Sequence, residues 1–268
     1  MPAMDRLGIL GFGTMGGAFA AALRRKHPDL AITAFDVKPD RLAAAAPGLG
    51  LSVARDPASV VRESDLVLLC VKPQDIAPLM AELAPHAKAR RFVSILAGTR
   101  IARLQEGLGA KQVARFMPNI AAVAGRALVG VSFAPEVEPA FQAACLELAD
   151  AFGTSLEIPE RLMAAMTGLS GSGLAYVFAF ADAMALGGVA AGFDYPTALK
   201  IAVEALESAA AMLKAGPGPV HPRDLASRVA SPAGTTIQGL RALERGGFTA
   251  AVMEAVEAAA RRALEFEG

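Results

Sequence analysis

A short apolar run, residues 7–10, leads straight into Gly11-Phe12-Gly13-Thr14-Met15-Gly16-Gly17 and then into a helix-forming stretch over 18–25. Strand, glycine turn and helix in that order restrict the fold more than any other feature of the chain. In a GxGxxG turn the first glycine permits the tight bend, the second lets the backbone approach a pyrophosphate, and the third lets the helix pack on the strand. The helix N-terminus adds free N–H groups and the positive end of its dipole. Gly11, Phe12, Gly13, Thr14, Met15 and Gly16 are therefore expected to line a dinucleotide site. A second strand over 31–35 ends in Asp36, about twenty residues beyond the last motif glycine. An acid there accepts hydrogen bonds from ribose hydroxyls and repels a 2′-phosphate, which tilts the reading to NADH. Lys38 and Arg41 lie close enough to pair with such a phosphate and point to NADPH, although each also reads as a solvated loop charge.

Three further apolar runs have the same form. Residues 66–71 end in Lys72-Pro73-Gln74, residues 92–96 in Ala97-Gly98-Thr99, and residues 113–116 in Met117-Pro118-Asn119. Such tips gather at the carboxyl edge of a parallel sheet, where cofactors bind in this fold. That places Val71, Lys72, Pro73, Ala97 and Gly98 at the cofactor, although any one tip reads equally as a plain turn. Residues 129–133 read as another strand and 139–152 as a helix stopped by Gly153. The first domain, residues 1–160, is thus expected to be an α/β Rossmann domain with a doubly wound, mainly parallel sheet.

From residue 161 to 268 the pattern is helical. Its centre is 167–193, where Asp182 is the only charge between residues 174 and 186. A helix apolar on every side is buried in a large core or between subunits. The run is also long enough to span a bilayer, but a mid-run Asp costs about 2.5–3.5 kcal/mol there, and Gly187, Gly188 and Gly192 read as breaks; the buried helix is the preferred reading. Ser170-Gly171-Ser172-Gly173 reads as a turn whose serines cap that helix. An amphipathic helix over 196–215 opens on Pro196, a stiff Gly/Pro loop fills 216–222, and a short helix ends near Val229. Ser231-Pro232-Ala233-Gly234-Thr235-Thr236 then leads into a helix over 237–245, stopped by Gly246-Gly247 and followed by a last helix over 249–266. The small residues of 231–236 leave N–H groups accessible beside three hydroxyls, which suits a carboxylate held by backbone donors with a hydroxyl on another polar atom. The same residues also fit a plain helix N-cap.

Composition narrows the function classes. Lys plus Arg and Asp plus Glu number 26 each, so there is no basic excess to neutralise a phosphate backbone, and nucleic-acid binding is not expected. Two cysteines, Cys70 and Cys145, make no disulfide framework and fit a reducing cytoplasm. The opening MPAMDRLGIL lacks the long apolar core of a secretion signal. His27, His86 and His221 show no metal-ligand spacing, and no metal site is expected.

Taken together, LGFGTMGG, VKPQ at 71–74, SILAG at 94–98, MPN at 117–119, LSGSGLAYVFAFADA and VASPAGTTIQGLRALERGGF resemble the pyrroline-5-carboxylate reductase family along essentially the full chain. The resemblance implies a Rossmann domain followed by an all-α dimerisation domain, residues 161–268, that interleaves with a second subunit. It further implies a homodimer, with rings of dimers as a further assembly of the family. The implied substrate is a small cyclic imine carboxylate, reduced by NADPH or NADH to proline. By the same resemblance Ser231, Ala233, Gly234 and Thr235 hold the substrate carboxylate, Asn119 lies in the substrate site, and Thr236 is the catalytic residue that meets the ring nitrogen. The chain departs from the family pattern at Ile120-Ala121, at Leu174 and at Ala233, where a threonine–proline pair, a proline and a glycine respectively are usual. The Ala233 methyl is a problem if the backbone there needs positive φ. Two other readings stand beside this one. The first is a related cyclic-imine reductase or hydroxyacid dehydrogenase of the same fold, although the absence of lysine from 167–193 argues against 3-hydroxyacid dehydrogenases. The second is a catalytically silent NAD(P)-binding regulatory protein.

Overall fold

The computed structural model describes residues 5–215, 218 and 220–267. The first four residues of the opening segment, and Gly216, Pro217 and Pro219 of the expected stiff loop, lie outside the described residues. The chain divides into two compact units, Met1–Ser172 with Glu257–Gly268, and Gly173–Val256.

The first unit runs β1 (Arg6–Leu10), α1 (Thr14–Lys26), β2 (Ala31–Phe35), α2 (Pro39–Leu49), β3 (Ser52–Val53), α3 (Pro57–Glu63), β4 (Leu66–Leu69), α4 (Ile76–Ala87), β5 (Arg91–Ser94), α5 (Ile101–Leu108), β6 (Gln112–Met117), β7 (Ala127–Phe133), α6 (Pro139–Asp150), β8 (Gly153–Glu157) and α7 (Met163–Met166). The strands form one sheet in the order β3-β2-β1-β4-β5-β6-β7-β8. All pairings are parallel except β6 with β7. The core follows from strand periodicity. In β4 every residue is buried; Leu66 and Leu68 join one core cluster, while Val67 and Leu69 join the other. Side chains alternate across a strand, so the two clusters are the two faces of the sheet, each covered by helices. Ile9, Val93 and Ala114 extend the first face; Leu10, Phe92 and Val113 extend the second.

Two features of this sheet differ from the sequence reading. The strand expected over 129–133 begins at Ala127 and runs against β6, because the short link through a 3-10 turn at Ile120–Ala124 cannot make the crossover that a parallel neighbour requires. A strand also forms at Gly153–Glu157, where only a helix stop was expected; it pairs with β7 as the sheet edge.

The second unit is helical: α8 (Gly173–Ala190), α9 (Tyr195–Lys214), α10 (Pro222–Val229), α11 (Thr235–Arg245) and α12 (Phe248–Glu265), whose C-terminal part belongs to the first unit. Asp194 caps α9 by accepting from Thr197 N at 3.0 Å, and Pro196 stands in the first turn, where its missing N–H is harmless. The serines of 170–173 do not cap α8. Residues 167–171 form a π-turn that continues the preceding helix, so no free N-terminus exists there to cap. Gly187 and Gly188 do not break α8 either. A Cβ at Gly188 would lie 2.8 Å from the Ala198 Cβ, so this glycine is where α9 packs closely, and the helix ends only beyond it.

The expected burial of this helix is not met within the chain. Of its 18 residues only Ala181 and Ala185 are buried, while Phe178 is 65% exposed. Ala198 and Ala202 of α9 are buried too. One chain thus supplies a seam of alanines between two helices and leaves the bulky residues uncovered. A core inside this chain does not account for the apolar composition.

Candidate active site

The glycine turn sits where the strand order reverses, between β1 and β4, which is the ligand crevice of an open α/β sheet. Gly11 adopts φ +96°, a conformation an L side chain resists, and a Cβ there would lie 2.6 Å from the Cys70 carbonyl oxygen. A Cβ on Gly16 would come within 2.1 Å of the Gly11 carbonyl oxygen, so α1 can start this close to the turn only with glycine at that position. Around Gly13, by contrast, a Cβ would meet nothing within 4 Å. Gly13 is the N-cap of α1 and makes no side-chain hydrogen bond, and the first turn holds no acid. Gly13 and Thr14 are exposed, Met15 is half-buried and Phe12 is buried. Free N–H groups at a positive dipole end, with open space in front, fit a dinucleotide pyrophosphate.

Asp36 follows β2 and is half-buried. One carboxylate oxygen accepts from the Phe12 backbone N–H and the other from the Lys38 N–H at 2.7 Å. The acid therefore braces the glycine turn. The Lys38 side chain is exposed. Val71 is half-buried and Lys72 and Pro73 are exposed, all beyond the end of β4. Ala97 and Gly98 are half-buried beyond β5. Burial pushes the Cys70 thiol far above its ordinary range, so it is not a nucleophile.

Asn119, at the end of β6, is buried. Its Nδ2 donates to Ser170 Oγ at 3.0 Å and its Oδ1 accepts from Ala121 N at 3.1 Å. The structure thus brings the MPN tip onto the π-turn, a partnership the sequence reading missed.

In the second unit Ser231, Ala233, Gly234, Thr235 and Thr236 are brought together at the start of α11. Gly234 N donates to Ser231 O at 3.0 Å, Pro232 holds the second position, and Ala233 the third with φ +59°. That is the form of a type II turn, whose third residue is usually glycine. The helix then begins at Thr235 with Gly234 as N-cap and no side-chain cap bond, so the plain N-cap role expected of a hydroxyl is not used. Its first N–H groups are left for another acceptor. Ser231, Ala233 and Thr235 are exposed, and Gly234 and Thr236 are half-buried. Among the described residues no group of His, Cys, Asp or Glu could hold a metal ion.

Sequence reasoning also missed Arg115, Glu160 and Glu267, which form an ion cluster around the buried Arg115 guanidinium. The signal was a single arginine inside the strand QVARFM.

A doubly wound sheet with a glycine turn at its switch point, followed by helices, defines a dinucleotide-dependent oxidoreductase. A family profile described as NADP oxidoreductase coenzyme F420-dependent matches residues 6–98, and one described as pyrroline-5-carboxylate reductase dimerisation matches residues 160–266. The chain belongs to the pyrroline-5-carboxylate reductase family. It is 39% identical to the pyrroline-5-carboxylate reductase of Methanosarcina acetivorans over 97% of both chains, and 36% identical to that of Aquifex aeolicus over 96% of both. Among solved structures, 1-pyrroline-5-carboxylate reductase from Streptococcus pyogenes superposes with a TM-score of 0.86 at 31% identity, covering 99% of this chain and 100% of the other. The Plasmodium falciparum pyrroline carboxylate reductase with NADP bound shares the fold at a TM-score of 0.87 and 24% identity, over 98% of both chains.

Proposed function

We propose that this protein reduces 1-pyrroline-5-carboxylate to L-proline, the closing step of proline synthesis, as a cytoplasmic homodimer. The observation that carries the reading is the 39% identity to the Methanosarcina acetivorans reductase, which spans 97% of the chain and so includes both the glycine turn and the hydroxyl loop. In this reading residues 1–160 serve the cofactor and residues 161–268 serve substrate and dimerisation. Rings of dimers are the further assembly, and a molar mass by light scattering tests for them.

When bound, the reduced nicotinamide supplies the hydride. The rest falls to the chain. The carbon of a protonated cyclic imine accepts hydride readily, so proximity and electrostatics can carry most of the acceleration. The uncapped start of α1, with Gly11 to Gly16, holds the pyrophosphate; Asp36 and Lys38 meet the adenosine ribose; Val71 to Pro73 and Ala97-Gly98 flank the nicotinamide side. The turn Ser231–Gly234 and the first N–H groups of α11 hold the substrate carboxylate, and the family resemblance makes Asn119 a substrate residue. The Thr236 hydroxyl accepts from the protonated ring nitrogen and orients the imine carbon toward the cofactor. Asp36 favours NADH and Lys38 favours NADPH; the carboxylate, fixed by two backbone N–H groups, makes NADH the preferred donor.

The segment Glu160–Ala190 has the length and hydropathy of a membrane span, with a mean hydropathy of 1.6. We read its apolar surface as the dimer interface, because the dimerisation profile covers it and the segment carries the charge of Asp182. Loss of reduced-nicotinamide absorbance with purified protein and pyrroline-5-carboxylate, run with NADH and NADPH in parallel, tests the function. Proline as the product supports it. Protein that binds a dinucleotide but leaves the imine untouched refutes it, and favours the regulatory reading.

A further inference from the structure

Arg115 lies on β6 with its side chain only 5% exposed. A guanidinium so buried needs partners for its charge, and it has two. Nη1 donates to Glu160 Oε1 at 2.9 Å and Nη2 donates to Glu267 Oε1 at 3.0 Å. Both acids reach on to the turn that follows β5. Glu160 Oε1 also accepts at 2.7 Å from the N–H of Ile101, the first residue of α5, a helix that its N-cap residue Arg100 does not cap with its side chain. Glu267 Oε2 accepts from Arg100 Nε at 3.2 Å. Just before these residues stands Gly98, at φ +74°. A Cβ there would lie 2.6 Å from both the Cβ and the carbonyl oxygen of Phe266, so the backbone next to Glu267 seats directly on the turn.

We propose that Arg115, acting through Glu160 and Glu267, is a positioning residue that fixes the turn over 97–101 and thereby sets the affinity for the nicotinamide dinucleotide. The proposal rests on the reading of Ala97 and Gly98 as cofactor residues. A turn built on a glycine with positive φ has a wide choice of backbone conformations, and holding one of them requires external contacts. Here those contacts are one backbone seat and two carboxylates, and a single planar guanidinium holds both carboxylates in fixed directions. A lysine cannot do the same, because a point charge on a flexible stem lacks the fork.

The test uses Arg115→Lys, Glu267→Gln and the double variant in the full-length protein. Dinucleotide affinity is read by fluorescence titration with NADH and NADPH, the KM for the imine is read at saturating dinucleotide, and thermal midpoints are taken at one protein concentration. Each single change is expected to weaken dinucleotide binding by about fivefold or more. The double variant is expected to be no weaker than the worse single, since the residues act as one unit, and the imine KM moves by less than about twofold. Dinucleotide binding within about twofold of wild type in both single variants overturns the proposal even if the midpoints fall, because a purely structural brace gives stability loss alone. If Arg115→Lys does not fold, the near-isosteric Glu267→Gln decides by the same criterion. A wild-type protein that binds neither dinucleotide overturns the functional reading and this proposal together. A wild-type enzyme that turns over, with variants that bind normally, overturns only this one.

Discussion

Ala233 offers a test of backbone strain with few competing terms. It holds φ +59° in the turn closed by Gly234 N and Ser231 O, and its methyl is exposed, so replacing it removes no buried contact. Left-handed backbone costs an L residue about 1–2 kcal/mol. Glycine escapes that cost but gives the unfolded chain more freedom, worth about 0.4–1 kcal/mol in the opposite direction. Ala233→Gly is therefore expected to stabilise the protein by about 0.5–1 kcal/mol, raising the thermal midpoint by roughly 1–4 °C for a chain of this size. Ala233→Val, with a β-branched side chain at positive φ, is expected to destabilise by at least about 1 kcal/mol. Thermal melts followed by circular dichroism at one fixed protein concentration give the comparison, because midpoints of a dimer depend on concentration. A glycine variant less stable than wild type, together with a neutral valine variant, would refute the strain argument. The same variants carry a functional reading. If this turn holds the substrate carboxylate, Ala233→Gly shifts the KM for the imine and leaves dinucleotide affinity unchanged.

Asp36→Asn keeps an acceptor for the glycine turn and removes the charge that the proposed function sets against a 2′-phosphate; the NADPH-to-NADH ratio of kcat/KM is expected to rise about tenfold, and an unchanged ratio would leave Asp36 only its bracing bonds to Phe12 and Lys38. Phe178→Asp places a charge on the exposed face of α8 and is expected to shift the protein to monomer in light scattering, whereas an unchanged mass would remove α8 from the interface. Burial pushes the His27 imidazole below the ordinary histidine range, with Lys26 acting in the same sense and Glu147, 3.9 Å away, opposing it. The folded protein then binds fewer protons than the unfolded chain as pH falls through about 6.5. Stability is lost in that direction, and His27→Gln is expected to flatten the slope between about pH 7 and pH 5; denaturant midpoints across that range check it, and an unchanged slope would count against His27.

What could be read from the sequence was whatever acts over a few residues. The apolar run of β4 and the glycine spacing of the cofactor turn each carry their meaning locally. β8 did not, because GTSLE is short, mostly polar and half-exposed at a sheet edge, where pairing with β7 rather than hydrophobic pattern makes the strand. Arg115 marks the boundary between the two cases. A lone charge inside QVARFM announces that a partner exists, but its partners stand 45 and 152 residues away, and nothing near the strand names them. α8 lies beyond that boundary. Periodicity points to a buried face only when one face is more apolar than the rest, and a helix apolar all round has no such face. The chain covers Ala181 and Ala185 and leaves Phe178, Leu186 and Val189 open. In the dimer reading these open side chains meet a second copy of the same chain, so the residues that specify the interface are the ones for which a single-chain pattern predicts no direction.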